Sequence, residues 1–268
     1  MIPKIIHYCW FGENPLPELA QKCIESWKKF CPDYEIKQWD ETNFDVNCCD
    51  YVREAYEAKK WAFVSDYARF KILYDNGGLY FDTDVELIKP TDDIVKKGSF
   101  LGCEVNPAYP SAINPGLGMG AETQLPIYRE ILDIYESIHF LNVDGTLNDI
   151  TITDRITAFF EKIGFQPIDK VQTVASITIY PPRYFCPLNI DTGKILLEDD
   201  TRSIHHYTAS WCTSTQKENI RLRQKYIGKY GKTLGGIFYL FPYSVYILRH
   251  DGFRTFWKKV KKKLKREK

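Results

Sequence analysis

Residues 62–84 read A-F-V-S-D-Y-A-R-F-K-I-L-Y-D-N-G-G-L-Y-F-D-T-D, and this stretch decides the fold. Aromatic residues recur at every third or fourth position of its first part, which predicts a helix over residues 61–76. Gly77-Gly78 ends that helix, because glycine readily adopts the left-handed conformation found after helix C-termini. The apolar residues 79–81 then predict a short buried strand, and Asp82-Thr83-Asp84 follows at its carboxyl end.

Asp82 and Asp84 place two carboxylates on alternate residues at this strand end. Carboxylate oxygens are hard ligands that suit Mg²⁺ or Mn²⁺, and such ions keep open positions for substrate phosphates. One carboxylate would bind the ion directly, and the other would act through water or on a ribose hydroxyl. A bare D-x-D also occurs in solvated turns, so the preceding helix matters, since Asp66 and Arg69 share one of its faces at i, i+3.

The rest of the chain predicts an α/β domain. Residues 4–11 form a β-rich run, residues 19–30 have apolar positions at helical spacing, and residues 34–39 alternate like a strand. Together they open a βαβ unit. Residues 91–120 look rich in loops. Further helices are predicted near 124–139, near 154–164 and from about 215, and further strands at 171–180 and 204–207.

Composition excludes several classes of protein. The 268 residues are 44% hydrophobic and 26% charged, which is ordinary for a soluble globular chain and excludes collagen-like and disordered sequences. The eight cysteines form no C-x-x-C pair, so neither a zinc site nor a disulfide framework is predicted. We expect reduced thiols in a cytoplasmic protein without a leader peptide. No apolar run approaches the roughly 18 residues that span a bilayer.

Charge is unevenly distributed along the chain. Residues 249–268 carry ten Lys or Arg against two acidic residues, a net charge of +8, so the other 248 residues carry −7 of the total +1. We predict a body over residues 1–235 and an aromatic, basic helical extension over residues 236–268. Such an extension suits contact with an anionic membrane surface, and its packing on the body is the alternative. The acidic body argues against nucleic acid as a partner.

Three stretches together carry a resemblance to a known family. Residues 62–84 resemble the DXD region of glycosyltransferase family 32, which contains capsular-polysaccharide and mannosyl transferases and is related to the clostridial toxin glucosyltransferases. Residues 2–12 look like the first strand of that family, and residues 206–211 are similar to its closing H-x-x-x-S-W motif. The resemblance implies a GT-A-like α/β/α sandwich that binds a nucleotide sugar and has a mostly parallel central sheet.

The resemblance also implies a donor site, residue by residue. Asp82 and Asp84 are its catalytic carboxylates. Asp84 and His206 ligate the cation, Asp82 does so directly or through water, and His205 is the competing histidine. The residues implied to bind the donor, with the base stacked on Trp10, are Trp10, Asp66, Arg69, Tyr80, Asp82, Ser210 and Trp211.

The function predicted in this way is a metal-dependent, retaining glycosyltransferase of capsule-type polysaccharide biosynthesis. A Mn²⁺ or Mg²⁺ ion would assist transfer from a nucleotide-diphosphate sugar, with UDP favoured over GDP, to a saccharide or lipid-linked oligosaccharide. We expect a cytoplasmic enzyme that is peripheral on the inner face of the membrane. The donor sugar, the acceptor and any nucleophile stay open, although residues 114–120 and Asp154-Arg155 are candidates for sugar and acceptor contacts.

Two other classes of protein stay open. Residues 80–85 also fit the strand and D-x-D-x-V of a haloacid-dehalogenase-like phosphatase, with Asp82 as nucleophile and Asp84 as general acid. That class needs a later acidic pair after a strand, and residues 198–200 lack this context. A non-catalytic carbohydrate-binding protein is the second alternative, and the two carboxylates argue against it.

Overall fold

The computed structural model describes residues 1–106, 109–189, 191–208 and 214–258 of the chain. They form two compact units, Met1–Pro187 with Leu196–Tyr207, and Leu188–Ile195 with Thr208–Lys268. The first unit has the helices α1 (Glu18–Phe30), α2 (Asp50–Glu57), α3 (Trp61–Asn76), α4 (Asp92–Val95), α5 (Pro126–Glu136) and α6 (Ile152–Lys162). Its strands are β1 (Ile5–Cys9), β2 (Glu35–Trp39), β3 (Gly78–Tyr80), β4 (Val85–Leu87), β5 (Phe100–Glu104), β6 (Ala112–Ile113), β7 (Met119–Ala121), β8 (Gln172–Val174), β9 (Ile177–Tyr180) and β10 (Ser203–His205).

The strands of the first unit form one large sheet and one small sheet. In the large sheet the order is β2-β1-β3-β7-β5-β9-β8, and β6 pairs with β5. β2, β1, β3, β5 and β9 run in one direction and the others in the opposite direction, as their pairings require. The sheet is mixed but mostly parallel, which confirms the predicted fold class. β4 and β10 form the small antiparallel sheet, in which His205 lies opposite Val85.

Apolar clusters cover both faces of the large sheet. In β1, Ile6 and Tyr8 belong to one cluster together with Trp27 of α1, whereas Cys9 belongs to a second cluster together with Val64 of α3. Successive side chains of a strand point to opposite faces, so the two clusters lie on opposite sides of the sheet. The unit is therefore an α/β/α sandwich with its core on both sides of β1 and β3.

Two glycines set the position of β3 beside β1. Gly77 and Gly78 have φ values of 65° and 101°, a region that other residues rarely adopt. A Cβ atom on Gly78 would lie 2.6 Å from the carbonyl oxygen of Ile5 and 3.1 Å from Nε2 of His7. Because this close approach requires glycine, it fixes the start of β3 and hence the place where Asp82 leaves the sheet.

The structure corrects several details predicted from the sequence. Residues 91–120, predicted to be loop-rich, contain α4, β5, β6 and β7, whose short apolar segments are interrupted by glycine. The strand predicted over residues 171–180 is a hairpin, because Ala175 and Ser176 both have positive φ and turn the chain between β8 and β9. α2 was not predicted.

The second unit contains α7 (Ser214–Phe238) and α8 (Leu240–His250), and residues 252–258 are also helical. Gly231 breaks α7 with a φ of 77°. The predicted boundary between residues 235 and 236 falls inside α7 and stays a prediction. Among the described residues, we find no helix with the length and apolar character needed to cross a membrane. The seven described cysteines are free.

Candidate active site

The carboxylate of Asp82 is held by two side chains from the same segment of sequence. Tyr80 donates its hydroxyl hydrogen bond to Oδ1 of Asp82 over 3.1 Å, and Nη2 of Arg69 lies 3.3 Å from the same oxygen. The guanidinium of Arg69 also packs over the ring of Tyr80, 4.9 Å from its centroid. Asp82 nevertheless keeps 32% of its side chain exposed, so it is oriented by these contacts and still accessible to a ligand.

Arg69 connects Asp82 to a second carboxylate. Its Nη2 donates to Oδ1 of Asp66 over 3.2 Å, and both side chains are buried, at 4% and 9% exposure. Asp66 and Arg69 are one turn apart on α3, so the helix itself brings them together. Burial raises the pKa of Asp66 to about 7, with Arg69 opposing the rise and Asp82 adding to it.

A glycine turn lies directly against Asp82. The backbone N–H of Asp82 donates to the carbonyl of Gly116 over 2.9 Å. A Cβ atom on Gly116 would overlap the carboxylate of Asp82, which is why a residue without a side chain stands there. Asn114 shapes this turn by accepting a hydrogen bond from the N–H of Gly116 over 2.8 Å. Of the predicted stretch 114–120, these residues reach the site.

Asp84 lies next to a histidine from the end of the unit. Nε2 of His205 is 3.1 Å from Oδ1 of Asp84, and the two side chains are 9% and 15% exposed. Burial alone would lower the pKa of His205, but the carboxylates of Asp84, Glu104 and Asp82, with Asp84 first, together raise that pKa above its usual value. Nδ1 of His205 is buried and has no hydrogen-bond partner within the part of the chain that the structure describes.

The imidazole of His206 points away from Asp84 and toward Glu86. Its Nε2 lies 2.8 Å from Oε2 of Glu86, and only its backbone N–H reaches Asp84, donating to the carbonyl oxygen over 2.9 Å. His205 and His206 are successive residues of an extended segment, so their side chains face opposite ways. The structure therefore brings His205 to the D-x-D, whereas the resemblance assigns His206 as the metal ligand.

The remaining predicted residues are placed as follows. Trp10 follows β1 directly, is half-buried, and donates its indole N–H to the carbonyl of Asn14 over 2.6 Å. β1 and β3 are parallel, so Trp10 and Asp82 lie at the same edge of the sheet. Arg155 donates to Asn148 and packs over the rings of Tyr51 and Tyr135, and its charge acts on Asp66. Ser210 and Trp211 lie outside the described residues.

Glu104 and Tyr207 are site residues that the sequence analysis missed. Oε2 of Glu104 accepts hydrogen bonds from the hydroxyl of Tyr207 over 2.8 Å and from Nδ2 of Asn114 over 2.7 Å. The ring of Tyr207 lies 4.1 Å from that of His205, centroid to centroid. The sequence signal that could have identified Glu104 is its position at the end of the apolar run F-L-G-C-E, because a carboxylate at the end of a strand often lies beside the functional site.

The chemistry of these side chains fits a divalent cation. Asp82 and Asp84 offer hard oxygen atoms and His205 offers an imidazole nitrogen, a set that suits Mn²⁺ and, without the nitrogen, Mg²⁺. Because the buried Nδ1 of His205 has no hydrogen-bond partner among the described residues, no hydrogen bond from them at that atom sets the orientation of this ring. No three His, Cys, Asp or Glu side chains among the described residues form a ready-made metal site, so other ligands, such as donor phosphates, would complete it.

Comparison with known proteins agrees with this site. The family described as "Glycosyltransferase sugar-binding region containing DXD motif" matches residues 17–101. The chain is 31% identical over 111 residues to inositol phosphoceramide mannosyltransferase 1 of Schizosaccharomyces pombe, which is 37% of this chain and 33% of that protein. It is 23% identical over 239 residues to the uncharacterized glycosyltransferase L373 of Acanthamoeba polyphaga mimivirus, covering 85% of this chain and 90% of that protein.

Solved structures of glycosyltransferases also align with the chain. A glycosyltransferase involved in the glycosylation of the major capsid of PBCV-1 aligns at a TM-score of 0.43 and 13% identity, over 82% of this chain and all of its own length (100%). The galactosyltransferase LgtC aligns at a TM-score of 0.36 and 14% identity, over 67% of this chain and 74% of its own. The chain spans about a third of the length of the fission-yeast mannosyltransferase. The match over residues 17–101 includes the D-x-D and its Asp66–Arg69 partners, so this part of the chain is similar to the DXD-containing sugar-binding region of glycosyltransferases, and the resemblance is confirmed there.

Proposed function

We propose that the protein transfers a sugar from a nucleotide-diphosphate donor to a saccharide acceptor, with the help of a divalent cation. The observation that carries this proposal is the pair Asp82 and Asp84 at the carboxyl end of β3, with Arg69 on one carboxylate and His205 on the other. These are accessible, oriented carboxylates inside the matched region, which a purely structural turn does not require.

The balance of charge supports a role for the cation. Asp66, Asp82, Asp84 and Glu104 contribute up to four negative charges, and Arg69 lies between the first two. A diphosphate would be repelled from such a cluster unless a positive ion stood between them. When bound, a divalent cation neutralises the charge that develops on the departing diphosphate.

Each side chain has a proposed task. Trp10 stacks on the base at the edge of the sheet, and Asp66, Arg69 and Tyr80 bind the ribose and the sugar. Asp84 and His205 hold the cation, and Asp82 joins them directly or through water. The geometry favours His205 over His206 here, because only the imidazole of His205 faces Asp84.

Ser210 and Trp211 come after β10 in the sequence. We propose, from the resemblance alone, that they close over the phosphate. Closure over the site would exclude water, which otherwise hydrolyses the donor.

The finer assignments rest on the resemblance. Retention of the anomeric configuration, a preference for UDP over GDP, and a place in capsule-type polysaccharide synthesis are proposed on that ground. The name of the fission-yeast relative describes a mannosyltransferase with a lipid acceptor. It supports a lipid-linked acceptor for this chain, and it makes a mannose donor the main competitor to UDP-sugars.

We also propose that the second unit contacts an anionic membrane surface from the cytoplasmic side. Phe241 and Phe253 expose 77% and 68% of their surface, and Ile237 and Trp257 are also exposed. Arg254 and Lys258 lie beside Phe253 and Trp257, and the ten Lys or Arg of residues 249–268 add positive charge. Aromatic rings at the headgroup level and lysines near anionic lipids both favour binding to such an interface.

The direct test incubates the full chain with a panel of UDP- and GDP-sugars, with Mn²⁺, with Mg²⁺ and with a chelator. Nucleoside diphosphate release that depends on one donor and on the cation supports the proposal, and Asp75→Asn, which alters an exposed carboxylate paired with Lys71, serves as the matched control for Asp84→Asn. Hydrolysis of simple phosphate esters at Asp82 would indicate the phosphatase instead. Binding of saccharides without turnover of any donor would indicate a carbohydrate-binding protein.

A further inference from the structure

Glu104 is a buried carboxylate at the end of β5 that sits between two parts of the site. It exposes 9% of its surface. Its Oε2 accepts hydrogen bonds from Nδ2 of Asn114 and from the hydroxyl of Tyr207, and Oε1 lies 3.4 Å from the hydroxyl of Thr153. Both oxygen atoms of this carboxylate therefore contact a polar group, and the hydrogen bond to Oε2 fixes the position of the Tyr207 hydroxyl.

Tyr207 has a backbone conformation that is uncommon for a residue other than glycine. Its φ is 47°, in the left-handed region that few residues other than glycine enter. In this conformation its ring packs against the imidazole of His205, with 4.1 Å between centroids and 48° between planes. At the far end of that ring, the hydroxyl donates to Glu104 over 2.8 Å and lies 3.0 Å from Sγ of Cys186, and the charged acceptor Glu104 makes the stronger of the two contacts.

The imidazole of His205 needs such support. A histidine that ligates a metal usually donates its second ring N–H to a carboxylate or carbonyl, and this bond sets the orientation of the ring. Here Nε2 faces Asp84, whereas Nδ1 has no such partner among the described residues. The packing of Tyr207 against the ring supplies the orientation that a hydrogen bond supplies elsewhere.

We propose that Glu104 is a positioning residue for the cation: it fixes Tyr207, and Tyr207 in turn keeps Nε2 of His205 directed at Asp84. This inference rests on the proposed function, since it concerns the cation of that same site. Glu104 also bonds to Asn114, which shapes the Gly116 turn against Asp82, so one carboxylate supports both halves of the D-x-D.

The test measures Mn²⁺ binding to the full chain, both without and with UDP, by the electron paramagnetic resonance signal of free Mn²⁺, with UDP alone as the blank. The variants are Glu104→Ala, which removes the acceptor of the Tyr207 hydroxyl, Tyr207→Phe and the double variant. Tyr109→Phe is the matched control, because it removes a tyrosine hydroxyl that donates to another glutamate, Glu161, over 3.1 Å. Loss of a residue that orients a metal ligand typically weakens metal binding by about 10- to 100-fold.

We expect both single variants to weaken Mn²⁺ binding by about tenfold or more, and the double variant to weaken it no further than Glu104→Ala alone, since that change already removes the contact with Tyr207. The control should bind as the wild type does. Melting temperatures show whether each variant is folded, and Tyr207→Phe, which keeps the ring, decides the question if Glu104→Ala does not fold. Dissociation constants of both folded variants within about twofold of wild type would overturn the inference while leaving the proposed function intact. A wild-type chain that binds no Mn²⁺ in either condition would overturn the proposed cation itself, and the inference with it.

Discussion

The indole N–H of Trp39 donates a hydrogen bond to Nδ1 of His7 over 3.0 Å, while Nε2–H of His7 donates to the carbonyl of Gly77 over 3.0 Å. Both ring nitrogens of this fully buried histidine are therefore used, and they require the neutral tautomer with its proton on Nε2. A second proton on Nδ1 would face the indole N–H. Burial lowers the pKa of His7 to about 4, against an ordinary value of 6.5.

The buried His7 predicts a loss of stability in mild acid. Above about pH 6.5 the histidine is neutral in both the folded and the unfolded chain, and its contribution is fully present. As the pH falls from 6.5 to 4, the unfolded chain binds a proton that the folded chain excludes, so the free energy of unfolding should fall by roughly 3 kcal/mol. Urea titrations at several pH values measure it. The dependence of the unfolding free energy on pH should become weaker in His7→Gln. It should persist in the control His139→Gln, which replaces an exposed histidine whose pKa is raised by Glu54. An unchanged pH dependence in His7→Gln would contradict the prediction.

Asp84→Asn should abolish transfer with little effect on folding. The side chain is partly exposed and contacts His205, so its carboxylate contributes to ligand binding more than to the core. We expect turnover below a tenth of wild type, which corresponds to losing about 1.4 kcal/mol or more of transition-state stabilisation. The melting temperature should stay within a few degrees. Turnover above that level in a folded variant would remove Asp84 from the catalytic set.

Trp10→Ala should weaken the binding of nucleoside diphosphates. Stacking of a base on an aromatic side chain contributes about 1–3 kcal/mol, so the dissociation constant should rise about tenfold or more. Trp10→Phe, which keeps an aromatic face, should retain most of the affinity. Isothermal titration calorimetry measures both. If Trp10→Ala instead unfolds and its folded fraction binds normally, Trp10 is a core residue only.

His205 and His206 should differ sharply when each is replaced by alanine. His205→Ala removes the imidazole beside Asp84, so Mn²⁺ affinity and turnover should both fall by about tenfold or more. His206→Ala breaks a partly exposed contact with Glu86, which is worth well under about 1 kcal/mol, and should leave Mn²⁺ binding unchanged. The reverse result would restore the assignment that the resemblance gave to His206.

The second unit should carry the affinity for anionic membranes. Each basic residue near such a surface contributes about 1 kcal/mol at moderate salt, so the full chain should sediment with anionic vesicles and not with neutral ones. A chain ending near Arg249 should lose most of this binding, because it lacks Phe253, Trp257 and the lysines that follow. Equal sedimentation of both forms, or none with anionic vesicles at low salt, would exclude the membrane role and leave the transferase proposal intact.

Much of the fold could be predicted because its signals are local. The aromatic period and the Gly77-Gly78 stop give α3 its bounds, and the same stretch places the D-x-D after β3. The partners of Asp84 could not be found in this way. Whether His205 or His206 faces the D-x-D depends on the register of β10 against β4, and a shift by one residue would exchange them.

Glu104 was hidden for a related reason. It reaches Tyr207 across more than a hundred positions, from β5 to the residue after β10. Both strands have five residues or fewer, so the alternation of apolar and polar residues is too short to show which side chains point into the protein. The contact arises from how the two sheets are arranged, which no local pattern records.

The pairing of β4 with β10 also bears on how the protein is made. Asp84 lies just before β4, whereas its partner His205 ends β10, the last strand of the first unit. A chain still emerging from the ribosome exposes the first carboxylates long before it can supply the imidazole or the tyrosine behind it. The ability to hold a cation should therefore appear late in synthesis, after all strands of the large sheet have been made. A product that terminates before residue 203 should contain the D-x-D but lack the complete site.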